Sequence, residues 1–443
     1  MEKKKISEEM FNQPNAGTVV MNLVREGAEL SYGAQYEVFG LPNAAEILLE
    51  YIRHGWKLYE GIQLEVFKLP QDKAAEILLK YTRDMNNMLY NRALFKVFDL
   101  PYAAEILLAY VIKHGRLDHP EVQLRIFDLP NAAEILLEYI RHGHELCPEA
   151  QIKVFDLPYA ESILQEYIWH DCFLCDEAQL KIFELENAAE ILLEYVSHGR
   201  VLCPEAQIKA FELSRAEGIM LEYVSHGFEL CKEAQLKVFG LPSVAGIMLE
   251  YVSHGFELCK EAQLKVFGLP SAAKIMLEYV KHGWELCNEA QLKVFGLPNV
   301  EEILLEYAKQ DNEFSEDAIL KVFGLFNVKE ILLEYVSHGW KLCNEAQLKV
   351  FEAPDYGKIM LKYVKHGNFL CEKALVKVFW LHNAAKIVLE YVKHHWELCK
   401  EAQLKIFELE NWKEILSEYA KYHKLCPGAQ KRYGELTAKS AKG

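Results

Sequence analysis

Apolar and polar positions along the chain fall into one pattern that returns every 28 residues. Its marker is a Phe, at Phe127, Phe155, Phe183, Phe211, Phe239, Phe267, Phe295, Phe323, Phe351, Phe379 and Phe407. Phe11, Phe39, Phe67 and Phe98 continue the series upstream, with small insertions near Gln71–Lys73 and between Tyr81 and Phe127. A Tyr follows almost every Phe after twelve residues, as at Tyr51, Tyr139, Tyr251, Tyr335 and Tyr419. About fourteen full repeats result, and repetition on this scale overrides length as a guide to domain number. Tyr223–Ser243 recurs letter for letter as Tyr251–Ser271. Such a duplication is tolerated when each copy touches only its neighbours.

Each repeat predicts two elements. In the longer one, Ala44, Ala45, Ile47, Leu48, Leu49, Tyr51 and Ile52 surround a polar stripe of Glu46, Glu50 and Arg53. That surface is too wide for a lone hairpin to bury, so neighbours must cover it from both sides. Asn43 with Glu46, Asn131 with Glu134, Asn187 with Glu190 and Asn299 with Glu302 have capping-box spacing. Gly55, Gly143, Gly199 and their equivalents stop the helix at a left-handed residue, just after a His that suits the negative end of the dipole. A helix of about thirteen residues is expected.

The shorter segment, Glu261–Leu269, is ambiguous. Leu264 and Val266 alternate with Gln263 and Lys265 as in a strand, while Ala262, Val266 and Leu269 share a helical face and Glu261 can pair with Lys265. A short helix is the expectation. The strand alternative gives a horseshoe, although the L-x-x-L-x-L-x-x-N ladder of leucine-rich repeats is missing. The fold predicted is all-α: an α-solenoid (superhelix) of about fourteen helix-turn-helix repeats of 28 residues. Residues 1–30 form an N-terminal capping repeat, 31–425 the solenoid, and 426–443 a C-terminal cap with a basic tail.

At Glu330–Gly339, EILLEYVSHG, and at each equivalent run, the sequence resembles the second helix and following His-Gly turn of ankyrin repeats. An ankyrin unit has 33 residues and a T-P-L-H tetrapeptide. These repeats are five residues shorter and carry Glu-Ala-Gln-Leu there. The resemblance implies an ankyrin-like solenoid with trimmed fingers, in a family whose members mostly bind other proteins, and it transfers no binding residue.

Charge narrows the partners. The 443 residues hold 49 Lys and Arg against 65 Asp and Glu, a formal net charge of −16. Such a chain repels a phosphate backbone, so nucleic acid is not an expected partner. Although 51% of residues are hydrophobic, no uninterrupted apolar run approaches the ~18 residues of a membrane span. Met1–Met10 lacks the apolar core of a secretory signal. A reducing, cytoplasmic compartment is expected, with export by a signal-less route left open. Of eleven cysteines, nine share one register: Cys147, Cys175, Cys203, Cys231, Cys259, Cys287, Cys343, Cys371 and Cys399. Stacked helices sit roughly 8–10 Å apart, beyond the ~7 Å that a disulfide spans between Cα atoms. Reduced, buried, small hydrophobes are expected.

Candidate chemistry is sparse. His198/Cys203, His226/Cys231, His254/Cys259 and His282/Cys287 invite a zinc reading, but zinc needs four ligands converging on one point and these lie along a ladder. Cys172 and Cys175 form a C-x-x-C with no second pair. Neither metal nor cofactor is expected. No paired acid and base, phosphate loop or nucleophile triad stands out, and the chain is read as non-enzymatic. Five residues after the Tyr, a variable position holds Trp56, Phe228, Phe256, Trp284, Trp340 and Trp396, but elsewhere Arg116, His144, Arg200 or Asn368. These aromatics are the candidate binding stripe, set against a plainer role as caps packed on the adjacent repeat. A Glu precedes the Tyr in most repeats, from Glu50 and Glu138 to Glu390 and Glu418. That row either holds a basic partner or is a solvated helix face.

The expected function is protein–protein interaction by a scaffold whose partner the sequence does not identify. A modular nucleic-acid reader and a self-assembling structural element are the alternatives. Thr82–Tyr90 and Lys309–Ser315 replace the His-Gly turn by polar residues and are expected to be weak points.

Overall fold

A short helix followed by a long one makes every repeat of the computed structural model, which describes residues 5–84 and 88–440. In one repeat, the short helix Lys260–Val266 turns into the long helix Ala272–Lys281. The short helix buries Ala262, Gln263 and Val266, and the long one Ala272, Ile275, Met276, Tyr279 and Val280. Within each of the chain's two compact halves, long helix packs on long helix of the next repeat, and short on short. The ambiguous segment is therefore a helix. In the repeats that hold Val38–Gly40, Val238–Gly240, Val350–Glu352 and Ile406–Glu408, it tightens into a 3₁₀ turn at its end.

The chain divides into two compact halves, Met1–His226 and Gly227–Gly443. In the first half, Lys5–Ile6 pairs in parallel with Glu29–Leu30 beside the first long helix, Ala16–Arg25. The insertion at Gln71–Lys73 lengthens one helix to Gln71–Asp84. In the second half, the stack closes with a single long helix, Pro427–Ser440. Among the described residues, no helix is long and apolar enough to cross a membrane.

The stop signals act as expected. Gly55, Gly143, Gly255 and Gly339 have φ between 76° and 82°, a region where side chains other than Gly are strained. Asp171, Asp311 and His395 take over that left-handed position at φ 60–62°. The helix itself runs only ten residues, as in Ala44–Arg53, with His54 as C-cap.

Two expectations are corrected. Asn43, Asn131, Asn187 and Asn299 stand at N-caps but make no side-chain cap hydrogen bond. Their backbones sit near φ −107° and ψ 29°, as at Asn43, instead of the extended conformation that aims an N-cap oxygen at the first turn. The Nδ2 of Asn43 donates instead to Gly17 O of the preceding repeat at 3.2 Å, and that of Asn383 to Gly357 O at 2.8 Å. A Cβ on Gly357 would lie 2.6 Å from Asn383 Oδ1, so this contact needs the glycine.

Cysteines, second, are free but mostly half-buried; nine stand at the N-caps of short helices, and two of these accept a capping hydrogen bond. Cys343 Sγ accepts from Ala346 N at 3.4 Å and Cys399 Sγ from Ala402 N at 3.5 Å. Ser31 and Ser315 hold the same position and accept at 3.1 and 3.3 Å.

Lys309–Ser315, expected to be a weak point, is packed. Asp311 supplies the left-handed residue, and Phe314 is buried between Tyr307 and Tyr335, at 5.3 and 5.1 Å between ring centres. The other expected weak point, Thr82–Tyr90, includes residues 85–87, which lie outside the described residues.

Candidate functional site

Turns and short helices form the face on which the candidate residues lie, and that face has a polar floor. In each regular repeat, a Gln at the centre of the short helix is buried. Gln263 Nε2 lies 3.2 Å from Leu258 O in the turn before its helix, 3.0 Å from Tyr279 Oη and 3.2 Å from Glu285 O in the turn after. Gln263 Oε1 accepts from Cys287 N, at the N-cap of the next short helix, at 2.9 Å. One carboxamide thus joins two turns, its own long helix and the next repeat. Gln35, Gln123, Gln151, Gln235, Gln291, Gln347 and Gln403 make the same bond to the Tyr sixteen residues on.

A buried amide so fully satisfied stabilises the stack, whereas losing it strands several polar groups away from water. Burial pushes the phenols of Tyr81, Tyr110, Tyr139 and Tyr307 up to about 12. They stay neutral and keep their O–H through the physiological range. The sequence reading missed this ladder. Its signal was present in the recurrent pairing of a Gln with a Tyr sixteen residues later.

All six candidate aromatics are half-buried. Trp56 lies in the first half and the other five in the second. Trp56 stacks on Tyr51 at 6.3 Å, Phe256 packs on Tyr251 at 5.1 Å, and Trp396 meets Tyr391 edge-on at 4.9 Å. Trp284 Nε1 donates to Gly255 O in the preceding turn at 3.0 Å. Asn368, at the equivalent position, donates its Nδ2 to the corresponding Gly339 O at 3.0 Å. This shared bond explains how one position accepts Trp and Asn alike. Arg200 makes an ionic version, 3.1 Å from Asp171. Hydrogen bonds from His198 and Arg200 hold the Asp171 carboxyl below the usual carboxylate range. At Trp284, Asn368 and Arg200 the position is a strut between repeats. Phe228, Phe256 and Trp284 fall in successive repeats, whereas Asn368 separates Trp340 from Trp396.

The Glu row is engaged within the long helices. Glu50 meets Arg53 at 2.8 Å, Glu222 meets His226 at 3.3 Å and Glu418 meets Lys421 at 2.6 Å. A basic row, unremarked in the sequence reading, runs along the short helices. Lys153, Lys181, Lys209, Lys265, Lys321 and Lys377 place their ammonium groups 5.5–5.9 Å from the ring centre of the preceding repeat's Phe. Carboxylates four residues earlier offset members of this row, as Glu289 does for Lys293 at 3.9 Å and Glu345 for Lys349 at 3.6 Å.

Among the described residues, no three His, Cys, Asp or Glu side chains gather as a metal site. Burial pushes the Cys172 thiol up to about 11 and raises that of Cys175 as well. Both are therefore poorer sources of thiolate than an exposed cysteine.

Two open grooves cross the short helices of the second half. One encloses about 820 Å3 between Lys232–Lys237, Lys260–Val266 and the start of Asn288–Val294, over Gln235 and Gln263. The other encloses about 1040 Å3 between Glu372–Val378, Lys400–Lys405 and Pro427, over Leu375, Tyr391 and Gln403. They occupy equivalent places in the repeat, with an invariant part (Leu258, Cys259 and Gln263 against Leu398, Cys399 and Gln403) and a changed rim.

No protein-family model matches the chain, and no curated protein matches it. A solved structure described as "APUM23-deletion-of-insert-region-GGAAUUGACGG" aligns with 93% of this chain and 88% of its own, at 10% identity and a TM-score of 0.18. A likeness that low carries no argument about fold or function.

Proposed function

We propose that the protein is a non-enzymatic scaffold that holds protein partners on the face made by its turns and short helices, as the ankyrin resemblance implies. One observation carries this reading: the second half repeats a groove that keeps Leu258, Cys259 and Gln263 as Leu398, Cys399 and Gln403, while Gln235 gives way to Leu375 and the rim changes from Glu229 and Glu285 to Phe369 and Lys424. A constant frame with variable edges suits recognition of side chains, and repeat proteins use extended faces of this kind. Net charge of −16 and the pairing of lysines with carboxylates favour protein over nucleic acid. Free thiols throughout suit a reducing compartment such as the cytoplasm.

The test is affinity capture from a native lysate with the purified chain, analysed by mass spectrometry, against a variant whose groove rims are exchanged. A protein partner that the rim-exchanged variant loses supports the proposal. Capture of RNA, with salt-sensitive binding to oligonucleotides, overturns it.

A further inference from the structure

Two neighbouring repeats at the start of the first half rewrite one patch of their surface together. Tyr32 and Tyr36 stand where a regular repeat has Lys232 and Leu236, and Tyr59 stands where another has Cys259. Gly33 and Gly61 take the places of Glu233 and Glu261. Glu37, Glu60 and Glu65 replace Lys237, Lys260 and Lys265, which reverses the charge.

These exchanges build one contiguous aromatic surface. Tyr32 packs edge-on against Tyr36 and against Tyr59 of the next repeat, with ring centres 5.3 and 5.1 Å away. Tyr32, Tyr36 and Tyr59 nevertheless stay 54%, 36% and 41% exposed, so their contacts with one another do not account for the rings. The glycines make the arrangement possible, since a Cβ on Gly61 would collide with the Tyr36 hydroxyl and one on Gly33 with the Glu8 carboxylate. Tyr32 Oη and Tyr36 Oη lie 3.2 Å apart. In such a pair one hydroxyl donates to the other, and the second keeps its hydrogen for a ligand. Bare tyrosines gathered on a water-facing surface have the composition of an interface centre.

Charge and spacing define what fits there. Glu37 and Glu60 are exposed and, among the described residues, enter no ion pair, while Glu65 meets Lys68 at 2.7 Å. Lys57 bounds the patch, its ammonium 5.6 Å from the ring centre of Tyr90. The free carboxylates call for basic groups in the partner. Stacked helices recur every roughly 8–10 Å, and a polyproline II helix advances about 9 Å in each three-residue turn. Prolines three residues apart therefore fall on successive repeats. That helix has no internal hydrogen bonds, so its carbonyls are free to accept from a tyrosine hydroxyl, and aromatic-lined surfaces suit it for this reason.

We propose that the tyrosine patch of the first two repeats is a docking surface for a proline-rich segment of a protein partner, extended as a polyproline II helix and flanked by Arg or Lys. This rests on the scaffold reading above and names the partner's chemistry. One proline seats on Tyr32 and Tyr36, the proline three residues away seats on Tyr59, and the flanking basic residues pair with Glu37 and Glu60.

The test uses the full chain and three fluorescein-labelled short peptides, read by fluorescence anisotropy. The first has Pro at every third place between flanking Arg residues, the second has each Pro replaced by Ala, and the third has each Arg replaced by Glu. The first is expected to bind about tenfold tighter than the Ala form, which is not held in the extended conformation beforehand, and about tenfold tighter than the Glu form. Tyr32→Lys, Tyr36→Leu and Glu37→Lys each install the residue of a regular repeat, and Tyr59→Ser installs the residue found at Ser31 and Ser315. The fold is therefore retained, which circular dichroism checks. Each tyrosine change is expected to weaken the first peptide by about tenfold, and Glu37→Lys by less.

No binding of the first peptide, equal affinity for the Ala or the Glu form, or unchanged affinity in Tyr32→Lys and Tyr59→Ser together overturns the proposal. Self-association of the chain that Tyr32→Lys abolishes also overturns it, by making a second copy the occupant. If the first peptide fails while lysate capture still yields a partner, the patch is wrong and the scaffold reading stands. If both fail, both fall.

Discussion

The rung at Gln263 and the rung at Leu375 belong to the same lattice and differ in the buried side chain at the centre of the short helix. At the first, a carboxamide satisfies Tyr279, two turns and the next repeat's N-cap. At the second, Tyr391 Oη is unpartnered and a leucine stands where the carboxamide would be. The long helices beneath are alike, Ala272–Lys281 and Ala384–Lys393. The difference teaches that the hydrophobic stack of long helices builds the frame, while the Gln ladder locks the turns and can lapse at single rungs, as it also does at Leu94 and Ile319.

The largest expected effect tests whether burial, rather than the Gln bond, keeps the tyrosines neutral at both rungs. Unfolded phenols titrate near 10, whereas burial holds Tyr139 and Tyr307 at about 12, and it raises Tyr391 without any Gln. The folded state therefore keeps protons that the unfolded state releases. Stability is fully present below pH 10 and is lost as pH rises through about 12. Tyrosinate absorbance from these residues should appear together with the loss of helical circular dichroism. Titration of buried tyrosines in a fully helical protein would break that link.

Next comes the Gln itself. Gln263→Leu converts an intact rung into the other kind and is expected to cost about 2–4 kcal/mol, since it strands the Tyr279 hydroxyl and the Cys287 amide. Leu375→Gln should gain about 1 kcal/mol by restoring the missing bonds. Urea unfolding of both variants checks the pair, and equal shifts of the same sign would dissolve the contrast. Smallest is the cap. Cys399→Ser replaces a thiol acceptor with the oxygen that Ser315 supplies to Ala318 N, for a gain of about 0.5 kcal/mol in the same measurement.

Much of the frame was legible in the residues. The Phe and Tyr periods, the broad apolar face of Ala44–Arg53 and the Gly after each His located the long helices and their ends. The short helix was ambiguous because Gln263 looks solvent-facing by pattern, and only the surrounding turn carbonyls show why a Gln is buried there. Asn43 and Glu46 had the right spacing for a capping box, but the tight turn sets Asn43 at φ −107° and turns its side chain toward Gly17 of the previous repeat. Of the candidate stripe, the sequence located Trp284 and Asn368 at one variable position, yet the bond they share to a preceding glycine carbonyl lies in the stacking geometry.

The sequence by itself determined the helices, their length scale and the need for neighbours, because periodicity and glycine conformation act within a few residues of chain. Tertiary structure alone decided which polar groups face one another across repeats, because those partners lie more than twenty residues apart and meet only when one hairpin settles on the next.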